Sequence, residues 1–285
     1  MSRSASWFVA IPAIVFAVGC TDEAKKSAEL AVPQTERLAK LVDADLADVK
    51  KGMPTGAKKL GESVFGAEGK ELDPKQVRET LRKTRDVVAD LQTARSTFFA
   101  LTDANGVGIA SDLEVDGFVG KNLVEVFPSL AKATKGETAE ATGAFEAARG
   151  VQKGDDAQWV IATPVKGKDD KQRGIFVSGW SFRRYAQRLQ EQLNTDFRMN
   201  LKKGDTARSP LLYVFVVVGD KAYGEPRAPE VNQKAVEGLK VFDKLQGETP
   251  WQNRVEIEGR AFGVAARRVN GFGDNAAIVI LRSEV

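Results

Sequence analysis

The sequence predicts an α+β protein: two five-stranded antiparallel sheets, one after the other, behind a helical amino-terminal stalk. Three observations carry this. Apolar residues recur at helical spacing from Pro33 to about residue 95, and a strand-and-turn pattern replaces them at Thr97. The order from there is two strands, a helical insertion and three strands. The same order returns from Leu211, so the chain reads as two copies of one plan.

The first residues read as an address rather than as fold. Arg3 supplies a positive start, and "WFVAIPAIVFAV" (Trp7 to Val18) is a twelve-residue apolar run. That is short of the roughly 20 residues a membrane-spanning helix needs. It ends in "AVGC", with small residues before Cys20, and residues 1–19 are expected to be a signal peptide. Residues 20–32, small and polar, are expected to form a tether, and residues 33–95 the stalk. In the stalk Leu38, Leu41, Val42, Leu46 and Val49 share one stripe, with Pro33 in a first-turn position. "KGMPTG" (Lys51 to Gly56) is expected to break it. A second helix starts at "DPKQ", where Asp73 caps and Pro74 occupies the first turn; Val77, Leu81, Val88 and Leu91 form its apolar stripe.

The first unit, residues 96–195, opens with "TFFALTDANGVGIASD" (Thr97 to Asp112): an apolar strand, a turn at Asp103 to Gly106, and a short strand. Read as a calcium loop, Asp103 and Asn105 have too few further oxygen ligands. A helical insertion runs from Gly120 to Gly136. "GAFEAARG", "QWVIATPVKG" and "RGIFVSGWS" are the closing strands, and the helix Arg183 to Leu193 follows. The second unit, residues 205–285, repeats this with "LLYVFVVVGDKAYGE", the insertion "NQKAVEGLKVFDKL", and the strands "NRVEIEG", "RAFGVAARRVNG" and "NAAIVILRS".

Composition narrows the function. The 285 residues contain no histidine and a single cysteine, Cys20. That removes the commonest general base, the commonest zinc ligand and every histidine-dependent catalytic dyad. "GESVFG", "GFVGKN" and "GVGIAS" each lack positions that a nucleophile elbow, a phosphate loop or a dinucleotide fingerprint requires. No catalytic residues, no metal and no cofactor are expected. The 42 basic and 39 acidic residues nearly cancel, so nucleic acid is not an expected partner.

Two resemblances add to this reading. "AVGC" resembles the lipobox of bacterial lipoproteins, with Ala17 where that family prefers leucine. The resemblance implies that the signal is cut before Cys20 and that Cys20 is the lipidation site, which anchors the chain in the cell envelope. Thr21, in place of an inner-membrane retention aspartate, favours the outer membrane, facing the periplasm or the cell surface. The stretches "FFALTDANGVGIAS", "GFVGKNLVEVFPSL" and "WVIATPVKGKDDKQRGIFVSGWS" resemble the extracellular Cache domains, PAS-like sensor modules of bacterial receptors, over residues 35 to 193. That implies two PAS-like units and a small-molecule pocket in the first, lined by Arg149, Trp159, Thr163, Ser178 and Trp180. The arginine would grip a carboxylate and the indoles would wall the pocket; core packing is the plainer reading of both indoles. The Arg-x-Trp-Tyr stretch of amino-acid-binding members is missing, and their strand aspartate falls at Gly179. Such receptors continue through a membrane helix, whereas this sequence ends at "ILRSEV", so relay to a protein partner is expected. The competing reading is an assembly lipoprotein that uses its sheets as a docking platform, without a small ligand.

Overall fold

The structure, a computed structural model, describes residues 19–66, 72–93, 98–114, 116–145, 156–200 and 209–284. It contains two five-stranded antiparallel sheets of identical strand order. In the first unit these are β1 (Phe98–Asp103), β2 (Gly108–Ser111), β3 (Ala139–Phe145), β4 (Asp156–Lys166) and β5 (Gln172–Ser181), ordered β2-β1-β5-β4-β3. In the second they are β6 (Leu211–Val218), β7 (Lys221–Gly224), β8 (Trp251–Ile257), β9 (Arg260–Arg268) and β10 (Ala276–Ser283), ordered β7-β6-β10-β9-β8. The expected fold class is the observed one.

Helix α1 (Gly19–Val64) departs from expectation. Residues 20–32 are helix rather than a tether, and "KGMPTG" continues the helix instead of ending it. Both prolines lie inside α1 and both are exposed. The amide each lacks would have met the carbonyl four residues earlier, at Glu29 and Lys50, both on exposed residues where water can replace it. On the opposite face Ala24, Ala28, Ala31, Leu38, Val42, Leu46, Val49 and Met53 are buried. Tertiary packing therefore outweighs the local signals. Gly52 and Gly56 serve close approach: a side chain at Gly52 would meet Leu91 at 2.8 Å, and one at Gly56 would meet the Phe176 ring at 2.7 Å.

The helix α2 (Pro74–Val87) starts as expected, with the Asp73 carboxylate accepting from the Lys75 amide at 3.0 Å. Val88 is extended, so the apolar stripe continues on the separate turn α3 (Ala89–Thr93). The first insertion is α4 (Leu123–Val126) and a 3-10 turn (Pro128–Lys135); the second is α6 (Glu230–Gly238) and a 3-10 turn (Val241–Asp243). Between the units runs α5 (Phe182–Asn200), longer than the sequence signal.

One continuous apolar core joins α1, α2, α5 and the inner faces of both sheets, from Leu38 and Leu60 to Phe176, Trp180, Val214 and Ile278. Each outer face has its own smaller core under its insertion. Along α1, Ala28 packs at Gly263 and Leu46 at Gly271, so the helix runs parallel to β9 past the second unit before it reaches the first. Gly263 pairs with Arg282. The start of α1 and the end of β10 therefore lie at the same end of the molecule. Among the described residues no helix is long and apolar enough to cross a membrane.

Candidate ligand-binding site

The four described residues that the sequence nominates stand on the inner face of the first sheet, turned towards α1. Trp159 and Trp180 face each other across β4 and β5, with ring centroids 5.8 Å apart and an interplanar angle of 73°. Phe272 of the second unit closes on both at 6.2 Å, and Tyr185 lies 4.7 Å from Trp180. Each indole is 1% exposed. The packing is that of a core, and neither indole lines the two larger clefts described below. Trp159 Nε1 donates to Glu140 at 3.3 Å, and Glu140 pairs with Lys50 at 2.9 Å. Trp180 Nε1 and Ser178 Oγ are buried with no hydrogen-bond partner. Thr163 accepts from the Thr138 hydroxyl at 3.2 Å and borders a cleft. Arg149 lies outside the described residues, as do residues 1–18 of the signal segment. Cys20 falls in the first turn of α1.

The outer face, under the first insertion, is occupied by phenylalanine. Phe98 meets Phe118 at 5.9 Å, Phe118 meets Phe145 at 5.8 Å, and Phe145 meets Phe127 at 6.2 Å. Gly179 makes room for this: a side chain there would stand 2.0 Å from the Phe98 ring. The turn at Asp103 is backbone chemistry, since its carboxylate accepts from the Asn105 and Val107 amides at 2.9 and 2.8 Å. Among the described residues no group of acidic residues or cysteine is arranged to hold a metal.

Two charged assemblies escaped the sequence reading. The first is a ladder on α2. Arg78 donates to the Ser111 carbonyl at 3.1 Å and to Asp116 at 3.2 Å; Arg82 donates to the Asp112 carbonyl at 3.1 Å; Arg85 pairs with the Asp112 carboxylate at 2.7 Å. Their spacing of four and three residues puts all three on one helical face, which with the acidic stretch "SDLEVD" was the available signal. The ladder pins the turn that leads into the first insertion. Burial outweighs Arg85 and raises the Asp112 carboxyl above its usual range. At Asp116 burial also pushes upward, but amides of Ser111 and Phe118, the Ser111 hydroxyl and Arg78 overcome it and hold the carboxyl low.

A depressed folded-state carboxyl contributes stability above its unfolded pKa and loses it as pH falls through the folded value. Asp116→Asn is thus expected to cost about 2 kcal/mol at neutral pH, the worth of hydrogen bonds to a charged group. The gap from wild type should close below about pH 4. Urea unfolding of both proteins across pH checks this, and a gap that widens in acid contradicts it.

The second assembly lies between α1 and α5. Asp45, 5% exposed, accepts from the Tyr185 hydroxyl at 2.9 Å and from both terminal nitrogens of Arg188. Burial lowers the Arg188 pKa and, with the charge of Asp43, raises that of Tyr185. This pair, buried at Asp45 and half-buried at Arg188, fixes the connecting helix to the shared one.

Two clefts of several hundred Å³ open on described residues. One, about 410 Å³, lies in the second unit between the β6–β7 turn and its insertion, with Val217, Val236 and Val241 as floor and Asp220, Glu237 and Lys240 at the rim. The other, about 490 Å³, lies between α1 and the far end of β4, bordered by Pro54, Lys58 and Glu62 on one side and Thr163, Pro164 and Lys168 on the other.

In sequence, no family model and no curated protein matches the chain. In structure, it is similar to the periplasmic sensory domain of the Campylobacter jejuni chemoreceptor Tlp1: 12% identity, TM-score 0.50, covering 91% of this chain and 95% of that one. The fold is that of the Cache sensor domains. A similar Cache-like match is the ligand-binding domain of Mlp24 with asparagine, at 14% identity and TM-score 0.50, covering 93% and 95%. A third is an extracellular ligand binding receptor from Desulfohalobium retbaense, at 11% identity and TM-score 0.53; it matches 89% of this chain, which spans 40% of that receptor chain. At these identities the likeness concerns the Cache fold itself, two sheets and a long helix, and assigns no ligand.

Proposed function

We propose that the chain is a small-molecule sensor module, anchored in the cell envelope by lipid on Cys20, that passes its state to a protein partner. The observation that carries this reading is the single helix α1, packed in one core with both sheets. A ligand that shifts the first unit relative to α1 also acts on the second, so the mechanism is binding with population shift rather than turnover. The Cache fold and the sensory domains that share it support the binding role. With Cys20 in the first turn of α1, the second unit stands next to the membrane and the first away from it.

The test is thermal unfolding of the mature chain against a metabolite panel. A ligand present at about 100 times its Kd should stabilise the fold by about 2.7 kcal/mol; no shift with any compound sinks the sensory role. The anchor is checked separately: labelled palmitate should enter the wild-type chain and not a Cys20→Ser variant. A second reading, a docking platform without a small ligand, is favoured by the run of Phe98, Phe118, Phe145 and Phe127 that fills the outer face of the first sheet. An unresponsive chain that retains a crosslinked envelope partner would select it.

A further inference from the structure

We propose that the cleft between α1 and the end of β4 is the ligand site, and that it takes a small organic anion bearing a carboxylate or phosphate. The proposal rests on the sensory reading and gives it a place. Strand β3 begins at Ala139, opposite Ala162, so β4 from Thr163 to Lys166 runs on beyond its β3 neighbour. Helix α1 lies against this overhang. Gly61 is so close that a side chain there would stand 2.1 Å from the Lys166 carbonyl oxygen. The space left above that contact, about 490 Å³, is within the range of small-molecule pockets.

The lining has two parts. Pro54, Ala57 and Pro164 give apolar walls, and neither proline has an amide to offer. The Thr163 hydroxyl accepts from Thr138, which leaves its own proton free to donate. Of the cations at the rim, Lys166 is taken by Asp170 at 3.1 Å. Lys58 on α1 and Lys168 on the β4–β5 turn stand on opposite walls, both exposed and making no ion pair among the described residues. Glu62 offsets one of them, so the charge available to a ligand is positive. An anion held by both lysines ties α1 to the first sheet, and α1 carries that restraint to the second unit. Of the residues nominated from sequence, Thr163 alone among those described borders this space.

Calorimetric titration of the full mature chain with inorganic phosphate and with citrate tests this, with putrescine as the probe of opposite charge. Binding of an anion and none of putrescine is expected. The double variant Lys58→Gln/Lys168→Gln should weaken it about tenfold, the effect of losing charge-assisted contacts. Glu62→Gln should tighten it. All three side chains are exposed, so the variants should melt with the wild type. Anion binding that is indifferent to the lysines, or weakened by Glu62→Gln, overturns the site. A thermal shift produced by other metabolites and unchanged in these variants also overturns it, while leaving the sensory role intact.

Discussion

Trp180→Ala is expected to lower stability by about 3–5 kcal/mol, as large-to-alanine changes in a packed core do. For a chain of this size that is a fall in Tm of roughly 6–15 °C. The indole contributes no hydrogen bond, and Trp159, Phe272 and Tyr185 surround it on the inner side of the sheet. Its loss leaves a cavity those neighbours cannot collapse to fill. Trp180→Phe keeps most of the volume and should cost about 1.5 kcal/mol or less. An indole that walled a ligand space would behave otherwise: Trp180→Ala would melt near the wild type and lose its ligand response. Denaturant unfolding of the two variants separates these outcomes.

The second large effect is expected at Gly263. A methyl there would lie 2.0 Å from the Ala28 nitrogen, 2.5 Å from the Ser27 carbonyl carbon and 2.6 Å from the Ala28 Cα. All three are backbone atoms of α1, so no side chain can rotate away and the helix must lift from β9. Gly263→Ala should cost about 3 kcal/mol, the upper part of the overpacking range. Hydrogen exchange should speed up over the first half of α1, beginning at Ala24. Gly238→Ala is the control, since nothing stands within 4 Å of that position; its stability should be unchanged or slightly raised, by about 0.5 kcal/mol. Equal losses in the two variants would mean that α1 is not seated on β9 as described.

Much of the architecture was legible because it rests on local signals. The Asp103–Gly106 turn, the Asp73 cap and the two-strand, insertion, three-strand order are each written in a few residues, and the order repeats. What failed to read depended on distant contacts. Gly52, Pro54 and Gly56 are breakers by any local rule and Pro33 reads as a helix start, yet the prolines point to solvent and the glycines admit Leu91 and Phe176. The identity of the faces was also hidden. In "WVIATPV" both alternating sets are apolar apart from Thr163, so periodicity cannot say which set meets α1. Trp159 and Trp180 fall on the inner face, as does Ser178 opposite Ile161, while Val160, Ala162 and Val177 take the outer one. The candidate site was seen least. Lys58 and Lys168 are 110 residues apart in sequence and meet only where α1 crosses the overhang of β4.

The measurement that tests the central claim most directly is hydrogen exchange along α1 in the full chain. One helix packed in one core with both units predicts slow exchange from Leu38 through Leu60, including the amides of Lys51 to Gly56 other than Pro54, with opening only on global unfolding. Fast exchange confined to Lys51–Gly56, with the two flanking segments opening independently, would show two separate helices and would contradict coupling between the units through α1.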